Sequence, residues 1–156
     1  MQVAYAGGLR VSELVGLTWD QVIRRDDGKA QLHVVGKGSK VRQVLLPDVV
    51  SAALWKLRGD AGDDDPIFAN PAGGQLTERA VNYMLKSAAK CASLPDSFSA
   101  HWLRHAHASH PIDHGAPLPT VQATLGHGNI AVTSGYLHAR PSDSSGLHLD
   151  AGVFLR

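Results

Sequence analysis

Residues 31–46 hold two runs rich in branched apolar residues, QLHVVG and VRQVLL, on either side of the short polar stretch KGSK. Few chains of this pattern can avoid an antiparallel hairpin: the runs suit strands, and a glycine-bearing turn reverses the chain between them. Strands are therefore expected over Gln31–Gly36 and Val41–Leu46, with Pro47 ending the second. Most of the remaining sequence is patterned for helices. A few strands followed by helices predicts an α+β fold, mostly helical with a small antiparallel β-sheet, rather than a parallel doubly wound sheet.

The helical pattern is punctuated as follows. Residues 1–9, MQVAYAGGL, read as the end of a helix that breaks at Gly7–Gly8. Ser12 is expected to cap a short helix whose stripe is Leu14, Leu17 and Val22. A helix is expected over about 48–58, and GDAGDDDP at 59–66 reads as a loop. Thr77 should cap the helix Arg79–Lys90, and Ser99 the helix carrying HWLRHAHASH, with Pro111 standing where that helix should continue. Thr120–Leu125 and Ile130–His138 are expected as short helices flanking GHGN. From Pro141 the composition changes to PSDSSG, a linker ending in the apolar patch Val153–Phe154–Leu155.

At 156 residues the chain has the length of one domain with a real core, and 44% hydrophobic with 19% charged residues is ordinary for a globular protein. A net charge of +1 makes no general case for nucleic acid, so any such face must come from local clustering. GKGSKVR is one such cluster, and marks Lys40 and Arg42 as DNA-contacting candidates. With few phosphate contacts, DNA binding by this chain alone is expected to be weak and salt-sensitive. A single cysteine, Cys91, excludes an internal disulfide framework and a cysteine zinc site. His101, His105, His110 and His114 include i,i+4 pairs of the kind that bind zinc, but no HExxH and no cysteine partner accompanies them, so no metal and no cofactor are expected. No apolar run approaches the ~18 residues of a membrane helix, which points to a cytoplasmic protein.

Four elements carry chemistry: GLRVSEL at 8–14, GKGSKVR at 36–42, HWLRHAHASH at 101–110, and LGH at 125–127 followed nine residues later by Tyr136. A phenol, two arginines, a lysine and two histidines suit attack on a phosphodiester, where cations must surround a phosphate that gains charge. Each alone has an ordinary reading: Arg10 with Glu13 as a surface ion pair, Lys37 as hairpin chemistry, Tyr136 as a packing aromatic. Their joint order does not. In that order and spacing they resemble the tyrosine recombinase (phage integrase) family, over most of the chain.

The resemblance implies the catalytic-domain fold of that family over residues 1–140, with 141–156 as C-terminal linker and tail and without the DNA-clamp domain that members carry ahead of it. It implies a site-specific recombinase that breaks and rejoins double-stranded DNA through a 3′-phosphotyrosyl link, assembling with other protomers on DNA, up to a tetramer. Arg10 and Arg104 then resemble the phosphate-binding arginines, and Lys37 the general acid for the leaving 5′ oxygen. His101 and His127 resemble the histidines that hold the phosphate and assist proton transfer, Tyr136 the nucleophile, and Glu13 a supporting acid. A non-catalytic relic, or a type IB topoisomerase-like nicking and religating enzyme, are the alternatives. Pro111, Trp102 and Gly135 depart from the family's usual residues.

Overall fold

The hairpin forms, and a third strand joins it. The computed structural model describes residues 1–95 and 97–126. Its sheet is antiparallel, in the order β1 (Val22–Arg24), β2 (Ala30–Val35), β3 (Val41–Leu45). Val35 pairs with Val41 at the hairpin end, and the Gly36 N–H donates to Lys40 O at 2.8 Å. Between them the backbone turns through left-handed conformations at Gly38 (φ 73°) and Ser39 (φ 59°), so glycine is needed at the first of these.

β1 departs from expectation, since Val22 reads by spacing as part of a helical stripe. The helix α2 (Val11–Val15) instead ends at Gly16. A new turn then starts over Trp19–Gln21, with the Thr18 N–H donating to Gln21 Oε1 at 3.1 Å, and Val22 pairs with Leu32. Nor does Ser12 cap α2. The N-cap is Arg10, whose amide donates to the Glu13 carboxylate at 2.8 Å, so the third helical residue reaches back to the start.

α1 (Gln2–Ala6), α2, α3 (Asp48–Arg58) and α4 (Glu78–Cys91) contribute to one apolar core with the sheet. Trp19, Leu17, Leu32, Leu46, Leu54 and Leu85 are fully buried in it. Thr77 caps α4 as expected, its Oγ1 accepting from the Ala80 N–H at 3.1 Å. Val81, Leu85 and Ala89 recur at four-residue intervals as the buried stripe of α4.

α5 (Ala100–Asp113) continues through Pro111 rather than stopping before it. Proline's fixed φ is helical, and so near the end it forfeits one ladder bond with little helix left to disturb. The last turn closes by His114 N–H to His110 O (3.1 Å) and Ala116 N–H to Pro111 O (2.8 Å). α1 lies against α5, where Tyr5 Oη and His110 Nδ1 are 2.8 Å apart. α6 (Leu118–Leu125) starts two residues earlier than its spacing suggests, because prolines are tolerated in a first helical turn. It rests on α5 through a separate small cluster, Ala108, Val121 and Leu125. The helix expected over Ile130–His138 and the tail from Pro141 lie outside the described residues. No helix among the described residues is long and apolar enough to cross a membrane.

Candidate active site

Glu13 is the hub around which the charged motifs meet. It is 8% exposed, yet it is a carboxylate, and burial of such a charge is tolerated only with paired partners. Arg42 supplies a bidentate pair, Nη1 to Oε1 at 2.8 Å and Nη2 to Oε2 at 2.7 Å. Arg10 Nη1 donates to Oε1 at 2.8 Å, and Arg104 Nη1 stands 4.0 Å from Oε2. Three segments far apart in sequence thus converge on one side chain.

Arg104, 7% exposed, reaches this point from α5 and is fastened to the backbone on both sides. Its Nη1 donates to Gly8 O, and its Nη2 to Leu125 O at 2.6 Å. The close approach that allows this depends on two glycines. Gly8 has φ 56°, and a Cβ there would stand 2.7 Å from His107 and 2.8 Å from Leu125. Gly126, at φ 65°, ends α6 with a Cβ position only 2.9 Å from Arg42 Cδ. Neither glycine figured among the sequence candidates, although both lie inside the motifs.

Arg42, expected to contact DNA, turns inward instead. Its side chain is 10% exposed, and besides Glu13 it donates from Nε to Thr124 O at 2.7 Å. The physical reason is strand alternation: Arg42 lies two residues before the buried Val44 and four before the buried Leu46, on the inward side of the strand. Lys40, by contrast, is exposed at the end of the turn. Arg10 is the most accessible of the three arginines, with 43% of its side chain exposed. It lines an open groove of about 300 Å³ with Ser12, Glu13, Val35 and Gly36. The residue after Gly36 is Lys37, so the turn backbone that carries this lysine begins at the groove wall.

His101 is exposed on the first turn of α5, three residues before Arg104. Its ring meets that of His105 edge to face, with centroids 4.0 Å apart and Nε2 in contact with Nε2. Burial lowers the pKa of His105, and the neighbouring His101 and Arg104 add to the effect. The shift favours the neutral imidazole, which carries both a hydrogen-bond donor and an acceptor. In the sequence His105 figured only in an i,i+4 histidine pair with His101. His127 and Tyr136 lie outside the described residues. The structure therefore brings together Arg10, Glu13, Arg42 and Arg104, with the turn of Lys37 beside them and His101 further along α5.

The charge state of the hub is fixed. Burial by itself would raise the pKa of Glu13, but the Arg42 and Arg10 hydrogen bonds outweigh it and hold the group at about 2. A carboxyl depressed from its ordinary value of 4.5 stabilises the fold above that value, and loses the contribution as pH falls toward 2. The depression corresponds to about 3 kcal/mol. Urea midpoints of the wild-type chain should accordingly drop between pH 5 and pH 2. In Glu13→Gln this part of the slope should be missing, and an identical slope would show that Glu13 is not the group responsible.

Comparison with known proteins agrees with this geometry. The profile of the phage integrase family matches residues 1–143. Tyrosine recombinase XerD of Pseudomonas aeruginosa is 40% identical over 155 residues, which cover 95% of this chain and 51% of that protein. Tyrosine recombinase XerC of Xanthomonas axonopodis pv. citri is 38% identical over 140 residues, covering 88% of this chain and 45% of the relative. The chain thus spans about half the length of the curated relatives it matches. Among solved structures, XerH site-specific recombinase bound to difH substrate, in a pre-cleavage complex, superposes with a TM-score of 0.78 at 24% identity, over 90% of this chain and 42% of that one. XerA recombinase gives 0.75, also at 24%, over 90% and 52%. At such identities these two structures speak to the fold, which is that of a tyrosine recombinase catalytic domain.

Proposed function

The chain belongs to the phage integrase family, and on that premise we propose that residues 1–140 are the catalytic domain of a site-specific tyrosine recombinase acting on double-stranded DNA in the cytoplasm, with 141–156 as linker and tail. The observation that carries the reading is the convergence of Arg10 and Arg104 on the buried Glu13, next to the turn bearing Lys37. Two guanidiniums fixed by a carboxylate and by backbone carbonyls lose little freedom when a phosphate arrives, and their hold strengthens as charge builds on its oxygens.

In the reaction, the Tyr136 oxygen attacks phosphorus and the 5′ oxygen of the next nucleotide leaves with a proton from Lys37. His101 and His127 hold the phosphate and assist proton transfer, and Lys40 contacts the DNA backbone. The phosphodiester energy is kept in the tyrosyl ester, so a DNA 5′ hydroxyl reverses the step without ATP. Other protomers on DNA cleave the strands with which the ends are exchanged.

A nicked suicide substrate, from which the cleaved end diffuses away, tests the proposal. A covalent protein–DNA adduct is expected, and it should form equally in EDTA, because arginines, lysine and histidines supply the positive charge that a metal would otherwise bring. Absence of any adduct would favour a relic, dependence on added magnesium or zinc a different enzyme class. Strand exchange between two sites would separate recombination from nicking and religation alone.

A further inference from the structure

Resting on that reading, we infer that Arg42 is a positioning residue for the reaction: a strut that holds the Lys37 turn and the end of α6 in register with the Glu13 hub. Its side chain has three fixed directions. The Nη1 and Nη2 atoms grip both oxygens of Glu13, at 2.8 and 2.7 Å. The Nε atom donates to Thr124 O at 2.7 Å, in the last turn of α6. The aliphatic stem runs under Gly126, where a Cβ would come within 2.9 Å of Cδ.

Each end of this strut meets a segment that leads to a reacting group. A Cβ on Gly36 would stand 3.6 Å from Arg42 Nη1 and 3.7 Å from Glu13 Oε1, so the residue just before Lys37 lies over the ion pair. At the other end, Gly126 immediately precedes His127. Glu13 in turn fixes Arg10 by a hydrogen bond, and Arg104 donates to Leu125 O, next to the Arg42 acceptor. A planar guanidinium can serve three acceptors in one plane, which an ammonium cannot do in this geometry. With 10% of its side chain exposed and these partners already held, Arg42 is built to fix protein parts relative to one another.

The test uses the whole chain and two readouts. In single-turnover cleavage of the suicide substrate, Arg42→Ala should lower the rate at saturating DNA about 100-fold, with Kd for the same DNA changed less than about threefold. Arg42→Lys should fail to restore the rate, and Arg42→Ala combined with Glu13→Gln should be no slower than the slower single variant. A loss confined to Kd, with the saturated rate unchanged, would show a DNA contact and overturn the inference, as would additive losses in the double variant.

The second readout needs no activity. Amide hydrogen exchange of the free chain should quicken together at residues 36–40 and 124–126 when Arg42 is replaced; unchanged protection in either segment would equally overturn the inference. If Arg42→Ala does not fold, Arg42→Lys carries both measurements with the same expected directions. A wild-type chain that forms no adduct would sink the recombinase reading, while the exchange experiment would still decide whether the strut exists.

Discussion

Replacing Tyr136 by phenylalanine should abolish covalent attachment of DNA to the chain. The substitution removes one oxygen, the atom that would bond to phosphorus, and nothing else. A phenol with a pKa near ~10 is a weak nucleophile at neutral pH, and becomes one only where cations and proton acceptors are already assembled. All three arginines that meet at Glu13 are retained in this variant, so DNA affinity should stay within about twofold while adduct falls below about one part in a thousand. End-labelled suicide substrate run on a denaturing gel reads both the yield and the size of any adduct. Adduct persisting in Tyr136→Phe would mean that another residue attacks, and peptide mapping of that species would identify it.

Arg104→Ala should have the next largest effect, and on two quantities at once. The guanidinium holds Gly8 O and Leu125 O as well as standing by Glu13, so truncation takes its donors from two buried acceptors. The cost to the fold should be about 2–4 kcal/mol, read as a lower urea midpoint. The rate of adduct formation should fall at least about 1000-fold, since a cation aimed at the developing charge is lost. Arg104→Lys separates the two: one ammonium recovers part of the stability, but cannot span both carbonyls and face a phosphate. A cleavage rate for Arg104→Ala within tenfold of wild type would remove Arg104 from the reacting centre.

Arg10, Glu13 and Arg104, which the structure brings together, were legible in the sequence because the charged motifs stand there in a telling order. The hairpin was legible too, from branched residues around a glycine turn. Direction was harder to read. Arg42 sits in a cluster of basic residues, and composition alone makes it look like part of a DNA-facing surface. Its position two residues before Val44 and four before Leu46, on the same side of the alternation, held the contrary signal. Glu13 looked like half of an ordinary surface pair until burial and two further arginines gave it a different meaning. β1 was hidden by its brevity: three residues fit a helical stripe as readily as a strand, and only the partner Leu32, ten residues on, decides between them.

The hub of Glu13 has a thermodynamic consequence. Among the described residues, Arg10, Arg42 and Arg104 bring three positive charges to the one negative charge of Glu13. Unfolding disperses them, and folding must therefore proceed against their mutual repulsion. A phosphodiester docked in the groove, as the proposed function requires, would bring further negative charge, and ligand binding that favours only the native state raises its stability by mass action. On the proposed function, folding and DNA occupancy would reinforce each other by linkage, each favouring the other to the same degree. Neutralising any one of these arginines should weaken that coupling.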